Sequence, residues 1–191
     1  MGRLLGDLSL TCIKLTASLR DEISKRWNED TLFGYQYLNG VNPMMMHKCL
    51  NLPQNFPVTS SMVATSLGSS KVLDEELQNG NVFLADYKIL QGIPANDSVN
   101  GKQQYISAPM CLLWKDPQDQ LLPIAIQLGQ TPGEQTPIFL PSDSKWDWTL
   151  AKIWVHNAEF QVIQAPRASS ALHSGHPHSR QKGSHWTWGR L

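Results

Sequence analysis

The chain has 191 residues, 41% of them hydrophobic, with 16 acidic and 16 basic side chains. That is enough apolar chain for one domain with its own core, and zero net charge excludes the broad basic surface that nucleic acid binding requires. No apolar run approaches the ~20 residues of a membrane span, and Cys12, Cys49 and Cys111 are odd in number and far apart, which predicts reduced, buried thiols in a cytoplasmic protein, not a disulfide framework.

Residues 7–30 read as an amphipathic helix, because Leu8, Cys12, Leu15, Leu19, Ile23 and Trp27 recur at three- and four-residue steps. Arg20, Asp21, Glu22, Lys25 and Arg26 supply its wet side. Gly34, Gly40 and Pro43 predict that residues 31–43 break the helix into turns. Met44, Met45 and Met46 are expected to pack as adaptable core residues, and His47, alone in sequence, as a structural histidine. Prolines stiffen residues 50–58. Thr59, Ser60 or Ser61 then caps a short helix through Leu67, and Gly68 ends it. A second short helix is predicted over residues 71–79, stopped by Gly80.

Three strands are expected next: residues 81–87, residues 105–114 with Pro109 at an edge or bulge, and residues 121–128. A turn region at 89–94 and a polar loop at 95–102 separate the first two. Lys115-Asp116-Pro117-Gln118-Asp119 forms the turn that makes the last two a hairpin. The run from Pro137 to Pro141 is extended. Ser142 or Ser144 then caps a helix, with Asp143 and Asp147 near its positive end. Trp146, Leu150, Ile153, Trp154 and Phe160 lie on one side of that helix, which predicts a core-facing stripe, and Lys152 and Glu159 fall off it. From Ala165 onward the character changes. Four basic residues and no acid remain, among Ser, Gly, Pro and His without hydrophobic period, and a low-order tail is expected over residues 165–191. The preceding 164 residues carry a net charge of −4, twelve Lys and Arg against sixteen Asp and Glu.

Several stretches resemble animal lipoxygenases, the non-haem iron dioxygenases of polyunsaturated fatty acids. Trp27, Glu29, Asp30 and then Phe33-Gly34-Tyr35-Gln36, Leu38-Asn39-Gly40 and Asn42-Pro43 match an early motif of their catalytic domain. Ala108 to Leu113, Pro123 to Gly133, Pro137 to Asp143 and the run Trp146 to Phe160 match further motifs in the same order. The likeness covers about residues 7–162 and is strongest to the arachidonate, epidermal and 15-lipoxygenase-like group. It implies an α+β fold: part of a lipoxygenase catalytic domain over residues 1–164, with amphipathic helices flanking a small antiparallel hairpin or sheet, followed by the low-order tail.

The resemblance also implies where the chemistry should be. In the family the last helix continues through three histidines at five-residue steps, and the second and third bind iron. A distant His, an Asn or His and a C-terminal Ile carboxylate complete the site. Here the three positions are Ile163, Ala168 and His173, and Pro166 between them is expected to break the helix. The switch in character after Val162 points to a frame change or an alternative exon. One imidazole does not hold iron, so no cofactor is expected in this chain and no dioxygenase activity. His173, His176, His178 and His185 lack a nearby Cys or acid, and no metal is expected there. By resemblance Phe160 lines the fatty-acid pocket; read as a residue alone it is an apolar face residue. A polyunsaturated fatty acid is implied as ligand only through the family. The alternative to an inactive chain is an interaction module that pairs with full-length lipoxygenase.

Overall fold

A computed structural model describes residues 25–39, 45–68, 71–93 and 105–173, with the backbone alone beyond Val162. Among these residues are four helices and one five-stranded sheet. The helices are α1 (Asp30–Asn39), α2 (Ser60–Leu67), α3 (Leu73–Gln78) and α4 (Lys145–His173). The strands are β1 (Met46–Lys48), β2 (Val82–Asp86), β3 (Met110–Lys115), β4 (Leu121–Gln127) and β5 (Ile138–Phe139). All neighbours pair antiparallel in the order β1-β2-β3-β4-β5.

The central strand explains the layering. All of Met110-Cys111-Leu112-Leu113-Trp114 is buried, so both faces of the sheet are covered, and a continuous apolar run replaces the usual alternation. One face carries Ala85, Cys111, Leu113, Leu121 and Ile126 under α1 and α4. The other carries Val82, Leu84, Met110, Leu112, Trp114 and Ile124 under α2, α3 and the segment holding Phe56 and Val58. The β3–β4 pairing shifts register between Leu112, opposite Ala125, and Leu113, opposite Pro123. Ile124 is the extra residue of that bulge, which admits a proline that has no N–H to give the ladder. The hairpin turn closes on Asp116, whose carboxylate accepts from the N–H of Gln118 at 2.9 Å and of Gln120 at 2.8 Å.

The two short helices and the hairpin fall where the sequence places them. Gly80 has a φ of 72°, in the left-handed region, and ends α3 as expected. Trp114 Nε1–H donates to Glu76 at 2.8 Å and Asn81 donates to the same oxygen at 3.0 Å, tying α3 to the sheet.

Several expectations need correction. Residues 31–43 are not simply a break: Asp30–Asn39 is a helix. Gly34 stands inside it for a reason of contact. A Cβ there would lie 1.7 Å from the carbonyl oxygen of Leu121, so the glycine lets α1 sit directly on β4. Residues 46–48, expected as packing methionine and an isolated histidine, form the edge strand β1, with His47 opposite Leu84 and exposed. The strand expected over 105–114 begins only at Met110. Pro166 does not end the last helix, which runs on to His173. A proline removes one hydrogen bond and crowds one carbonyl, and Ala165, Ala168 and Ala171 around it are the strongest helix formers. The helix predicted over 7–30 lies mostly outside the described residues, as do the loop 95–102 and residues 174–191.

Candidate functional site

The site to be tested is α4, the helix that carries Phe160 and the three metal-ligand offsets. Ser144 begins it: its hydroxyl accepts from the Asp147 N–H at 3.2 Å and donates to the Asp147 carboxylate at 2.7 Å, a reciprocal cap at the positive end. The helix then lies across β4, β5 and the short 3₁₀ turn Lys88–Leu90.

Its faces are the reverse of the simplest reading. Trp146 is 78% exposed and Phe160 57%, and Leu150 and Ile153 are also exposed. The buried side is Trp148, Ala151, Val155 and Ala158, with Val162 packed against the same cluster. These recur at alternating three- and four-residue steps, the seam expected of a helix laid on a surface. The predicted stripe, apart from the half-buried Trp154, is therefore a second apolar face, turned away from the sheet and open among the described residues.

A polar anchor fixes which face goes inward. Lys152 is only 4% exposed, and its Nζ lies 2.6 Å from Asp30 Oδ1. Lys152 also donates to the Asn28 carbonyl oxygen, and the Trp148 indole N–H donates to Asp30 Oδ1 at 2.8 Å. A buried ammonium costs far more than it returns unless it is paired and hydrogen-bonded, and here both conditions are met. One turn on, His156 meets the Phe33 ring at 4.6 Å between centroids, edge to face, and its Nδ1 lies 3.8 Å from Glu159. Below them the hydroxyls of Tyr37 and Tyr87 hydrogen-bond at 2.9 Å within the core. Burial pushes both phenols above their ordinary range, and burial does the same to the enclosed Cys111 thiol. None of these groups is poised to give up a proton near neutral pH.

Sequence reading missed this anchor. The signal was present: Lys152 and Trp148 are one turn apart on the helix, and Trp148, Ala151, Val155 and Ala158 are regularly spaced, but alanines carry little hydropathy and the more apolar outer face dominated. What the sequence could not give was Asp30, more than 100 residues away.

The metal question has a definite geometric answer for the described side chains. No three His, Cys, Asp or Glu among them lie close enough to share an ion. His47 is exposed on β1, Cys49 and Cys111 are buried on opposite faces of the sheet, and His156 faces Phe33. Phe160 is mostly exposed, on the side of α4 away from the Trp148, Ala151, Val155 and Ala158 seam.

The lipoxygenase family model matches residues 15–168. This chain belongs to the lipoxygenase family. It is 58% identical over 140 residues to hydroperoxide isomerase ALOXE3 of Homo sapiens, covering 73% of this chain and 20% of that protein. It is 56% identical over 143 residues to the 12R-type arachidonate 12-lipoxygenase of Mus musculus, covering 75% and 20%. Among solved structures, a calcium-dependent 11R-lipoxygenase superposes with a TM-score of 0.71 at 41% identity, over 74% of this chain and 21% of that one. The manganese lipoxygenase of Gaeumannomyces graminis superposes at 0.59 with 26% identity, over 72% and 23%. The chain spans about a fifth of the length of the curated lipoxygenases it matches. The fold is thus part of a lipoxygenase domain, with helices on a five-stranded antiparallel sheet. No described helix is long and apolar enough to cross a membrane.

Proposed function

We propose that this chain is a lipoxygenase-family unit that does not oxygenate fatty acids by itself. The observation that carries this reading is the sequence of α4 beyond Phe160. Where the family resemblance calls for histidines at five-residue steps, the chain has Ile163, Ala168 and His173. Ferrous iron in such sites takes imidazole and carboxylate donors, and a hydrocarbon side chain has no lone pair to offer. One neutral ligand leaves the affinity too low to compete with water and chelators. The residues of this helix therefore do not fit the metal, and no reaction step is derived through it. Phe160 would lie along a fatty acyl chain only where a larger body supplied the opposite wall of the pocket. Free, buried Cys49 and Cys111 support a reducing, cytoplasmic setting.

Metal analysis of the purified chain, paired with a hydroperoxide assay on arachidonate and linoleate, tests the proposal. The expected result is iron far below one per chain and no conjugated diene. Stoichiometric iron, or diene accumulating with either acid, refutes it.

A second reading is favoured by one specific feature. The outer face of α4 presents Trp146, Leu150, Ile153 and Phe160 together, and a contiguous exposed apolar surface marks an interaction site. Its natural partner is a full-length lipoxygenase, engaged as a regulator. Retention of such an enzyme on the immobilised chain, lost in a Leu150→Asp/Ile153→Asp variant, supports this reading; equal retention by both counts against it.

A further inference from the structure

The loop from β4 to β5 holds both Thr-Pro dipeptides of the chain, Thr131-Pro132 and Thr136-Pro137, and the sequence has no Ser-Pro. The two look alike in sequence, and the fold sets them apart. Thr136 is held in place. It is half-buried, its hydroxyl donates to the Thr131 carbonyl oxygen, and its N–H donates to the Gly133 carbonyl at 3.0 Å. Its methyl group lies against Gly129, where an added Cβ would stand 2.9 Å from Thr136 Cγ2. Thr131 is open. It is exposed, as are Pro132, Gly133, Glu134 and Gln135 after it, and its hydroxyl has no hydrogen-bond partner among the described residues.

The loop rises from a firm base. Gln130, buried just before Thr131, donates to Asp86 Oδ1 at 2.8 Å and to the Ala108 carbonyl at 3.0 Å, and its own carbonyl accepts from Asn55 at 3.1 Å. Beyond Gln130 the backbone stands outside the sheet until Gly133 and Thr136 bridge to each other. Pro132 disfavours helical backbone at Thr131 and so favours an extended strand of chain through the hydroxyl. Pro132 also brings no N–H. A cleft that offers no acceptor at the position after the hydroxyl therefore encloses it without penalty, whereas any other residue there would leave a buried donor unpaired. We propose that Thr131 is a phosphorylation site for a proline-directed serine/threonine kinase. Thr131 Oγ attacks the γ-phosphorus of a nucleoside triphosphate. A new O–P bond forms as the bond from that phosphorus to the β,γ-bridging oxygen breaks. The nucleoside diphosphate leaves with the electron pair, and the hydroxyl proton passes to the base of the kinase. The product adds roughly 1.5–2 negative charges at pH 7 to a loop, residues 128–137, whose one charged residue is Glu134. The sheet edge at β5 then becomes strongly acidic. The site is independent of whether the chain binds iron.

The test is phosphate transfer from γ-labelled ATP to the intact chain by a purified proline-directed kinase, with the modified residue located by fragmentation mass spectrometry. Up to one phosphate per chain is expected, on Thr131. The initial rate should fall at least tenfold in Thr131→Val and in Pro132→Ala and be kept in Thr136→Val, and Thr131→Ser should restore labelling as phosphoserine. Both substituted positions are exposed, and equal urea midpoints for parent and variants check that the fold is unchanged. Equal labelling of the parent and Thr131→Val, phosphate located on Thr136 or elsewhere, or no transfer while the same kinase labels a standard Thr-Pro peptide each overturns the proposal.

Discussion

Asp30 and Lys152 are the residues on which the orientation of α4 rests. Lys152 is almost wholly buried and Asp30 partly so, and the pair receives a third bond from Trp148. Removing one member of a buried pair leaves the other charge without its partner, which costs about 3–5 kcal/mol where both are fully enclosed. The Asp30 side chain keeps 33% of its exposure, so water recovers part of that loss. Lys152→Met should therefore destabilise the chain by about 2–3 kcal/mol, read from the urea midpoint at constant slope. Adding Asp30→Asn should recover a good part of the loss, because it removes the stranded carboxylate. A full loss in both variants would mean that the methylene stem of Lys152, not its charge, holds the helix.

At the scale of elements, α4 separates two kinds of apolar residue that look alike in sequence. Val155 is fully buried against the sheet, whereas Phe160 is larger, more hydrophobic and mostly in water. Val155→Ala removes two methyl groups from a packed site and should cost about 1–3 kcal/mol by loss of transfer energy and cavity formation. Phe160→Ser should stay within about 0.5 kcal/mol of the parent, as exposed substitutions do. Parallel urea titrations of the two variants check this, and a large loss for Phe160→Ser would place that ring in a core. The comparison also shows what was legible. Local chemistry located α2, α3 and the β3–β4 hairpin, because glycine stops and an Asp-Pro turn act within a few residues, although neither Thr59 before α2 nor Val72 before α3 makes a side-chain cap bond. It located the apolar stripe of α4 but not the side that meets the sheet, since that choice is made by Asp30 and by β4, β5 and the Lys88–Leu90 turn. The helical state of α1 was hidden for a related reason. Gly34 looks like a breaker in one dimension and becomes a contact surface only when Leu121 is beside it. The strands β1 and β5 are three and two residues long, too short to show a period, and exist because a neighbour's edge was free. Of the candidate site, the sequence disclosed the residues at the metal offsets and Phe160, which are positions along a helix; the anchor that holds that helix in place is tertiary.

For the molecule as a whole, stability against pH follows from which titratable groups the core encloses. On the acid side the relevant group is Glu76. Burial pushes its carboxyl up, but the hydrogen bonds from Trp114 and Asn81 and the Lys71 ammonium outweigh that and hold it below the usual range. A depressed carboxyl contributes stability that is present above the unfolded value, near ~4.3, and is lost as pH falls through the folded one. On the alkaline side the enclosed groups include Cys111, Cys49, Tyr87 and Tyr37, all raised, with burial the largest cause. In that range the native state keeps protons that the unfolded chain releases. The unfolded state then binds fewer protons, and stability falls with rising pH. The contribution is fully present below the unfolded values, near ~8.5 for a thiol and ~10 for a phenol, and declines above each. The urea midpoint should thus be nearly flat between about pH 6 and 8, then fall with a slope of up to about 1.4 kcal/mol per pH unit for each group engaged. Between pH 8.5 and 10 the two thiols precede the phenols, so Cys111→Val should soften that part of the profile, with Cys49 supplying what remains, while leaving the steeper fall above pH 10. Tyr37→Phe should do the opposite, softening the fall above pH 10 and leaving the shoulder below it. If both variants keep the parent's profile over the whole range, the alkaline loss arises from groups outside this core, and the enclosure of the Cys111 thiol and the two phenols is not maintained in solution.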